Sequence, residues 1–196
     1  MLNPLAEKLK NKNLILASQS TRRRVLLKEM GLTFITKVKD TNESFPQELN
    51  GREIAEFLSK KKSEAFLSEL QKNEIIITAD TIVWHLSKVL NKPKNKVEAI
   101  EMLQRLSGSM HTVYTGVTLR SIEKNYTFSS CTNVWFKNLS IQEILYYTNQ
   151  FNPTDKAGAY GIQEWIGFIG VKKIEGCFFN VMGLPTSELY SALWEF

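Results

Sequence analysis

The stretch Ile75-Ile76-Ile77-Thr78-Ala79-Asp80-Thr81 constrains this chain more than any other. Three β-branched residues in a row, after the polar Gln71-Lys72-Asn73-Glu74, read as a central strand, because a continuous apolar run leaves no face for solvent. The run closes on a small residue, a carboxylate and a hydroxyl, which puts an acid at the strand's end. Ligands of open α/β sheets collect beyond strand ends, so Asp80 is the first candidate for chemistry. Taken alone, an aspartate there serves equally well as a turn cap bonded to its own backbone.

With 196 residues the chain reads as one domain, 1–196, long enough to bury a full core around that strand. The excess of 25 Lys and Arg over 20 Asp and Glu favours anionic ligands and leaves nucleotide, nucleic acid and acidic protein all open. Cys131 and Cys177 have no second thiol or histidine at metal-ligand spacing, which implies neither a zinc site nor a disulfide framework and fits reduced packing residues. The apolar run Leu14-Ile15-Leu16-Ala17 is too short for a signal peptide or a membrane span, so the expected location is cytoplasmic.

Leu14 to Ala17 is a compact strand, followed by Ser18-Gln19-Ser20-Thr21 and then a helix with Leu26, Leu27 and Met30 on one face and Gly31 as its left-handed stop. A helix that starts where a strand ends offers unpartnered amides of partial positive charge. Here serine hydroxyls and the consecutive Arg22, Arg23 and Arg24 join them. Arginines are disfavoured in a first helical turn unless an anion arrives, and that conflict points to a phosphate cradle, with Ser18, Ser20, Arg22 and Arg23 as its candidates. The turn lacks the glycines and lysine of a Walker loop.

Thr33 to Val38 reads as a second strand, and 39–46 as a polar loop carrying Asp40 and Glu43. Gly51 to Gln71 has apolar residues at helical intervals with Lys60, Lys61 and Lys62 in its middle. A solvated face accounts for such a run unless the fold brings one lysine to the phosphate site. Ile82 to Leu86 and Val89-Leu90 read as short strands joined by a Ser87-Lys88 turn. Lys92 is held before Pro93 by a restricted backbone. Residues 94–106 form a helix with Val97, Ile100, Leu103 and Leu106 as its stripe. His111 to Leu119 and Tyr126 to Phe136 form a hairpin, and Ser140-Ile141-Gln142-Glu143 opens a helix through a capping box. Neither of the two histidines has a partner at zinc or triad spacing, which reads each as a packing or hydrogen-bonding group. Small residues in Asp155–Gln163 let backbone come close to something. Ile166–Ile174 and Phe178–Met182 read as strands, and Gly183-Leu184-Pro185 opens a last helix. The alternation makes an α/β protein with a mixed sheet.

With these stretches in place, the chain resembles the Maf family of nucleoside triphosphate pyrophosphatases nearly end to end. Leu14 to Arg23 resembles the family's opening Leu-Ala-Ser-x-Ser-Pro-Arg-Arg, Ala79-Asp80-Thr81 its acidic motif, Lys92-Pro93 its Gly-Lys-Pro, and Leu106-Ser107-Gly108 with His111 its Leu-Ser-Gly-x-x-His. Asp155–Gln163 and Val181-Met182-Gly183-Leu184-Pro185 resemble its closing motifs. The resemblance implies an elongated α/β fold of the Maf and ITPase-like kind, a mixed sheet flanked by helices with two lobes around a central cleft. It also implies a homodimer with no membrane association that hydrolyses a nucleoside triphosphate to monophosphate and pyrophosphate with Mg²⁺ or Mn²⁺. By matched position it makes Asp80 the catalytic acid, and Ser18, Arg22, Glu43, Lys62, Thr81, Lys92 and Gln163 residues of the site. Ala-Asp-Thr with Lys-Ala-Gly-Ala-Tyr-Gly-Ile-Gln is similar to the subgroup that cleaves dTTP and UTP, where house-cleaning of modified pyrimidine nucleotides and a link to division arrest are the implied roles. Thr21 replaces the family's proline, Asn91 its glycine before Lys-Pro, and Glu164 the glycine after Gln163.

The expected reaction follows from the parts. Arg22, Arg23, Lys62, Lys92 and the helix start hold the phosphates, Asp80 with Glu43 holds the metal and orients water, and Thr81 and Gln163 read the base. Whether Asp80 is general base or metal ligand stays open, since both roles want an ionised carboxylate. The alternative is a non-catalytic regulator of septum formation that binds nucleotide or nucleic acid through the same basic turn. Such a binder has no use for Asp80 beside the phosphates, and no docking helix for duplex DNA is recognisable.

Overall fold

The computed structural model describes residues 3–196. In chain order the elements are α1 (Pro4–Lys8), β1 (Asn13–Leu16), α2 (Thr21–Glu29), β2 (Phe34–Thr36), α3 (Gly51–Glu64), β3 (Glu74–His85), β4 (Lys88–Leu90) and α4 (Lys96–Leu106). There follow β5 (Met110–Arg120), β6 (Asn125–Phe136), α5 (Ile141–Gln150), α6 (Trp165–Gly170), β7 (Val171–Glu175), α7 (Phe178–Met182) and α8 (Thr186–Glu195). The strands make one open mixed sheet of order β2-β1-β3-β5-β6-β7, with β4 paired to β3. β1 runs parallel to both β2 and β3, with Leu16 opposite Thr36 and Ile77, while β4 pairs antiparallel with β3 and β7 antiparallel with β6.

The chain separates into two compact units, and β3, β5 and β6 contribute residues to each. The first holds the chain through Asp80 with Thr115–Ser130 and Gly183–Phe196. Leu14, Ile15 and Leu16 of β1 and Ile75, Ile76 and Ile77 of β3 are buried in it, as the unbroken apolar runs require. α3 lies directly on the sheet: a Cβ on Gly116 of β5 would fall 2.2 Å from the Ala55 carbonyl oxygen. Hydroxyls satisfy one another along that contact. Thr78 Oγ1 donates to the Ser59 carbonyl at 2.7 Å, Ser59 Oγ meets Thr118 Oγ1 at 3.0 Å, and Thr118 Oγ1 meets Thr127 Oγ1 at 2.9 Å.

The second unit, Thr81–Tyr114 with Cys131–Met182, has its own core of Val83, Leu90, Met102, Leu103, Leu106, Val134, Phe136, Ile144, Tyr147 and Ile166, among others. His111 lies within it, its Nε2 at 2.7 Å from the Tyr160 hydroxyl and its ring edge-on to Phe136 and Tyr160. That is the packing and hydrogen-bonding role expected for it.

Several expectations need correction. β3 does not stop at Asp80 but continues to His85, so the acid sits inside a strand and not at its end. The ladder to β4 continues the strand, and its turn is Leu86-Ser87 in place of Ser87-Lys88, with φ of 48° and 60°, the primed geometry that matches strand twist. The long helix breaks after Glu64, leaving Leu67–Glu69 as a single 3-10 turn. The buried stripe of α4 is Ala99, Met102, Leu103 and Leu106, while Val97 lies 65% exposed. Ile166–Gly170 and Phe178–Met182 are helical, and strand pairing begins only at Val171. α1 occupies what reads as a polar lead, capped by Asn3 Oδ1 on the amides of Leu5 and Ala6. Cys131 is exposed and so is not a packing residue.

Candidate functional site

The pleat of β3 sends Thr78 and Asp80 to the same face, toward α3. Thr78 bonds Ser59, and one helical turn further along α3 the Lys62 ammonium donates to Asp80 Oδ1. The same ammonium donates to Glu43 Oε1 at 2.7 Å, bringing the loop before α3 to the strand. The lysine run is thereby resolved by the fold: Lys60 faces solvent and Lys61 bonds the Ser44 carbonyl at 2.9 Å, whereas Lys62 bridges the two candidate carboxylates.

The turn between β1 and α2 converges on Arg23. Ser18 Oγ accepts from the Ser20 amide at 3.2 Å and from Arg23 Nη1 at 3.3 Å, and Ser20 is the N-cap, its Oγ accepting from the Arg23 amide at 3.4 Å. Arg23 Nε donates to the Gly183 carbonyl at 2.7 Å, which ties the cradle to the segment entering α8. Burial pulls the Arg23 guanidinium below the ordinary arginine value; Asp80 opposes this, Arg22 adds to it and Glu43 opposes it. An arginine remains a cation through such a shift. The first turn of α2 contains no acid of its own, so its amides and arginines point the same sign of charge at the space before the helix.

Ser18, Ser20, Arg22, Arg23, Glu43, Lys62 and Asp80 therefore belong to one neighbourhood of the first unit. Thr81, Lys92 and Gln163 belong to the second unit. Thr81 follows Asp80 on the opposite face of β3 and is half-buried, and Lys92 is exposed. Gln163 follows the turn of Ala157–Ala159, where Gly158 has a φ of +68°, and its side-chain Oε1 is buried with no hydrogen-bond partner. Gly158 is needed there, because a Cβ would also meet the Val83 side chain at 2.9 Å.

The donor set bears on a metal. Two carboxylates converge on one positive charge, which is the arrangement a hard divalent cation takes up with oxygen ligands. Among the described residues no group of three or more His, Cys, Asp or Glu side chains is placed to hold a metal ion. Glu43 and Asp80 are oxygen donors of the kind such a cation takes, and two of them would leave the rest of its coordination to other ligands. Sequence reasoning gave no sign that the side chains of Tyr147 and Lys156 both engage Glu164, next to Gln163. The one cue that could have pointed there is Glu164 itself, a carboxylate where the similar motif has glycine.

A capped, acid-free helix start lies near Asp80 of the mixed sheet and Glu43 of the loop before α3, so the fold and site are those of an α/β protein with a strongly charged centre. Residues 13–196 match the Maf-like protein model, and the chain belongs to that family. It is 49% identical to a Bacteroides thetaiotaomicron protein over 92% of this chain and 94% of that one. It is 48% identical to a Flavobacterium johnsoniae protein over 96% and 97%, and 47% identical to one from Christiangramia forsetii over 97% of each. All three relatives are named dTTP/UTP pyrophosphatase. Among solved structures the chain is similar to the Staphylococcus aureus Ham1 protein, with a TM-score of 0.45 and 14% identity over 64% of this chain and 72% of that one. No described helix is long and apolar enough to cross a membrane.

Proposed function

We propose that this protein hydrolyses dTTP and UTP to the monophosphate and pyrophosphate. The observation that carries the reading is Asp80, an acid held on a rigid strand within the field of Arg23 and Lys62. A site that only bound phosphate would gain nothing from a carboxylate there. The relatives' names supply the nucleotides.

In this reading the α2 amides, Ser18, Ser20, Arg22 and Arg23 bind phosphate oxygens, and Lys62 exchanges its carboxylate partners for the substrate. Asp80 takes a proton from water as the water oxygen bonds the α-phosphorus. The bond from that phosphorus to the bridging oxygen breaks, and pyrophosphate leaves with the electron pair. Glu43 and Asp80 would hold Mg²⁺ or Mn²⁺, which supplies charge neutralisation on the phosphates when bound. Lys92 adds to phosphate binding, and Thr81 and Gln163 read the base. A homodimer in the cytoplasm and a single functional domain over 1–196 complete the reading.

Pyrophosphate release from dTTP, UTP, CTP, methyl-GTP and dITP with either metal tests it. Release led by dTTP and UTP, falling about 10²–10⁴-fold in Asp80→Asn while nucleotide binding persists, is the expected result. Absence of release from every nucleotide overturns the enzyme, and release led by methyl-GTP overturns the base-reading roles of Thr81 and Gln163.

A further inference from the structure

The first unit holds a second charged feature, a hollow of about 480 Å³ between α2 and the start of β2. Thr21, Arg24, Val25 and Lys28 line one wall, and their spacing puts them on a single stripe of α2. Arg23, which bonds Ser18 and the Gly183 carbonyl, lies off that stripe. Leu32 and Phe34, where the chain leaves α2 and enters β2, line the other wall. β2 is the edge strand of the sheet and pairs with β1, so among the described residues no further strand covers that edge.

The lining joins two kinds of surface. Val25 is 48% exposed although apolar, Phe34 is half-buried and Leu32 is buried. Arg24 and Lys28 are exposed, and among the described residues neither takes part in an ion pair. Arg24 Nη2 donates to Thr21 Oγ1 at 3.1 Å, along the same wall. By contrast Lys37 and Lys39, which follow β2, hold Glu74 at 3.3 Å and Glu69 at 2.6 Å. Two cations four residues apart on a helix repel each other. An anion seated on both removes that repulsion and accepts charge-assisted hydrogen bonds. Val25, Leu32 and Phe34 offer no bond in return and are satisfied only by an apolar body that displaces water. A concave, mostly apolar space with a few charged groups is the common form of a small-molecule site.

We propose that this hollow binds a small amphipathic organic anion, with its acid group on Arg24 and Lys28 and its apolar body against Val25, Leu32 and Phe34. Inorganic phosphate satisfies the cations and leaves the apolar wall wet. A second copy of the chain is a poor occupant, since pairing β2 with its own image adds another Arg24 and Lys28 to the first. Binding is read on the protein without nucleotide or metal, so the result is independent of the hydrolytic reading.

Two-dimensional NMR titration of the isotope-labelled full chain with octanoate, octanol, acetate and inorganic phosphate tests this. Octanoate should shift the amides of Thr21 to Lys28 and Leu32 to Phe34 together, with a Kd about tenfold or more below those of octanol, acetate and phosphate. Arg24→Gln combined with Lys28→Gln should raise the octanoate Kd about tenfold and leave that of octanol unaltered, whereas Val25→Ser should weaken both. These side chains are exposed, and Lys28→Gln alone, with a smaller rise, stands in should the double variant not fold. Equal affinity for octanoate and octanol, or an octanoate Kd indifferent to the charge variants, reduces the hollow to an apolar surface and overturns the proposal. Acetate or phosphate binding as tightly as octanoate overturns it in favour of a site for charge alone. Shifts confined to Ser18, Ser20 and Arg23 put the anion in the cradle and overturn it, as does the absence of any saturable shift. Broadening at Phe34 to Thr36 that grows with protein concentration alone makes a second copy the occupant and overturns it too.

Discussion

Lys62 shows how much of a residue's meaning depends on its partners. Its ammonium serves two carboxylates of unequal burial: the Asp80 side chain is 11% exposed and that of Glu43 50%. The pair with Glu43 is screened by water and worth little, so Glu43→Gln should change unfolding free energy by less than about 1 kcal/mol. Lys62→Met strands a shielded Asp80 and should cost about 2–4 kcal/mol, read from urea unfolding at neutral pH. Equal losses in the two variants would contradict the difference in burial. His111 carries a second residue-level prediction. Burial, then the charge of His85, lowers its pKa from the ordinary 6.5 to about 3, so the folded protein holds it neutral where the unfolded chain binds a proton. Its contribution is complete above pH 6.5 and is lost as pH falls from there toward 3, by up to about 1.4 kcal/mol per pH unit. Unfolding midpoints of wild type and His111→Gln across pH 7 to 4 should converge as the pH falls.

At the scale of elements, close approach accounts for both what was legible and what was not. Strands β1, β5 and β6, the helices α2, α4, α5 and α8, and the capping box at Ser140 were readable, because repeated apolar spacing and paired polar caps are local signals. α6 and α7 were not. Six and five residues of mostly apolar sequence carry no distinguishing period, and at Gly167 of α6 a Cβ would fall 1.8 Å from the Ile162 carbonyl oxygen, so that close approach requires glycine. The same physics makes Gly116 indispensable to the contact that aims α3 at β3. Gly116→Ala forces the α3 backbone off the sheet and should destabilise by about 1–3 kcal/mol or more, with catalytic loss at temperatures where the variant is still folded. An unaltered melting temperature would mean that the helix can shift without cost.

For the whole molecule, the net charge of +5 and the acid-free start of α2 set a long-range field. Triphosphate binding should therefore weaken with ionic strength, KM rising and kcat nearly constant between low and half-molar salt, because screening acts on encounter and not on the chemistry. A KM indifferent to salt would place binding on contacts other than charge. The sequence by itself determined the α/β class, the strand that carries Asp80, the helix start with its serines and arginines, and the family motifs. Each of these is written in neighbouring residues, whose spacing and chemistry act over one or two turns. Only the tertiary structure decided that Lys62 and not Lys60 or Lys61 meets Asp80 and Glu43, that β3 runs on past its acid, and that Glu164 turns to Lys156 and Tyr147. Those outcomes depend on which face of one element meets another, and burial makes that choice among residues far apart in the chain.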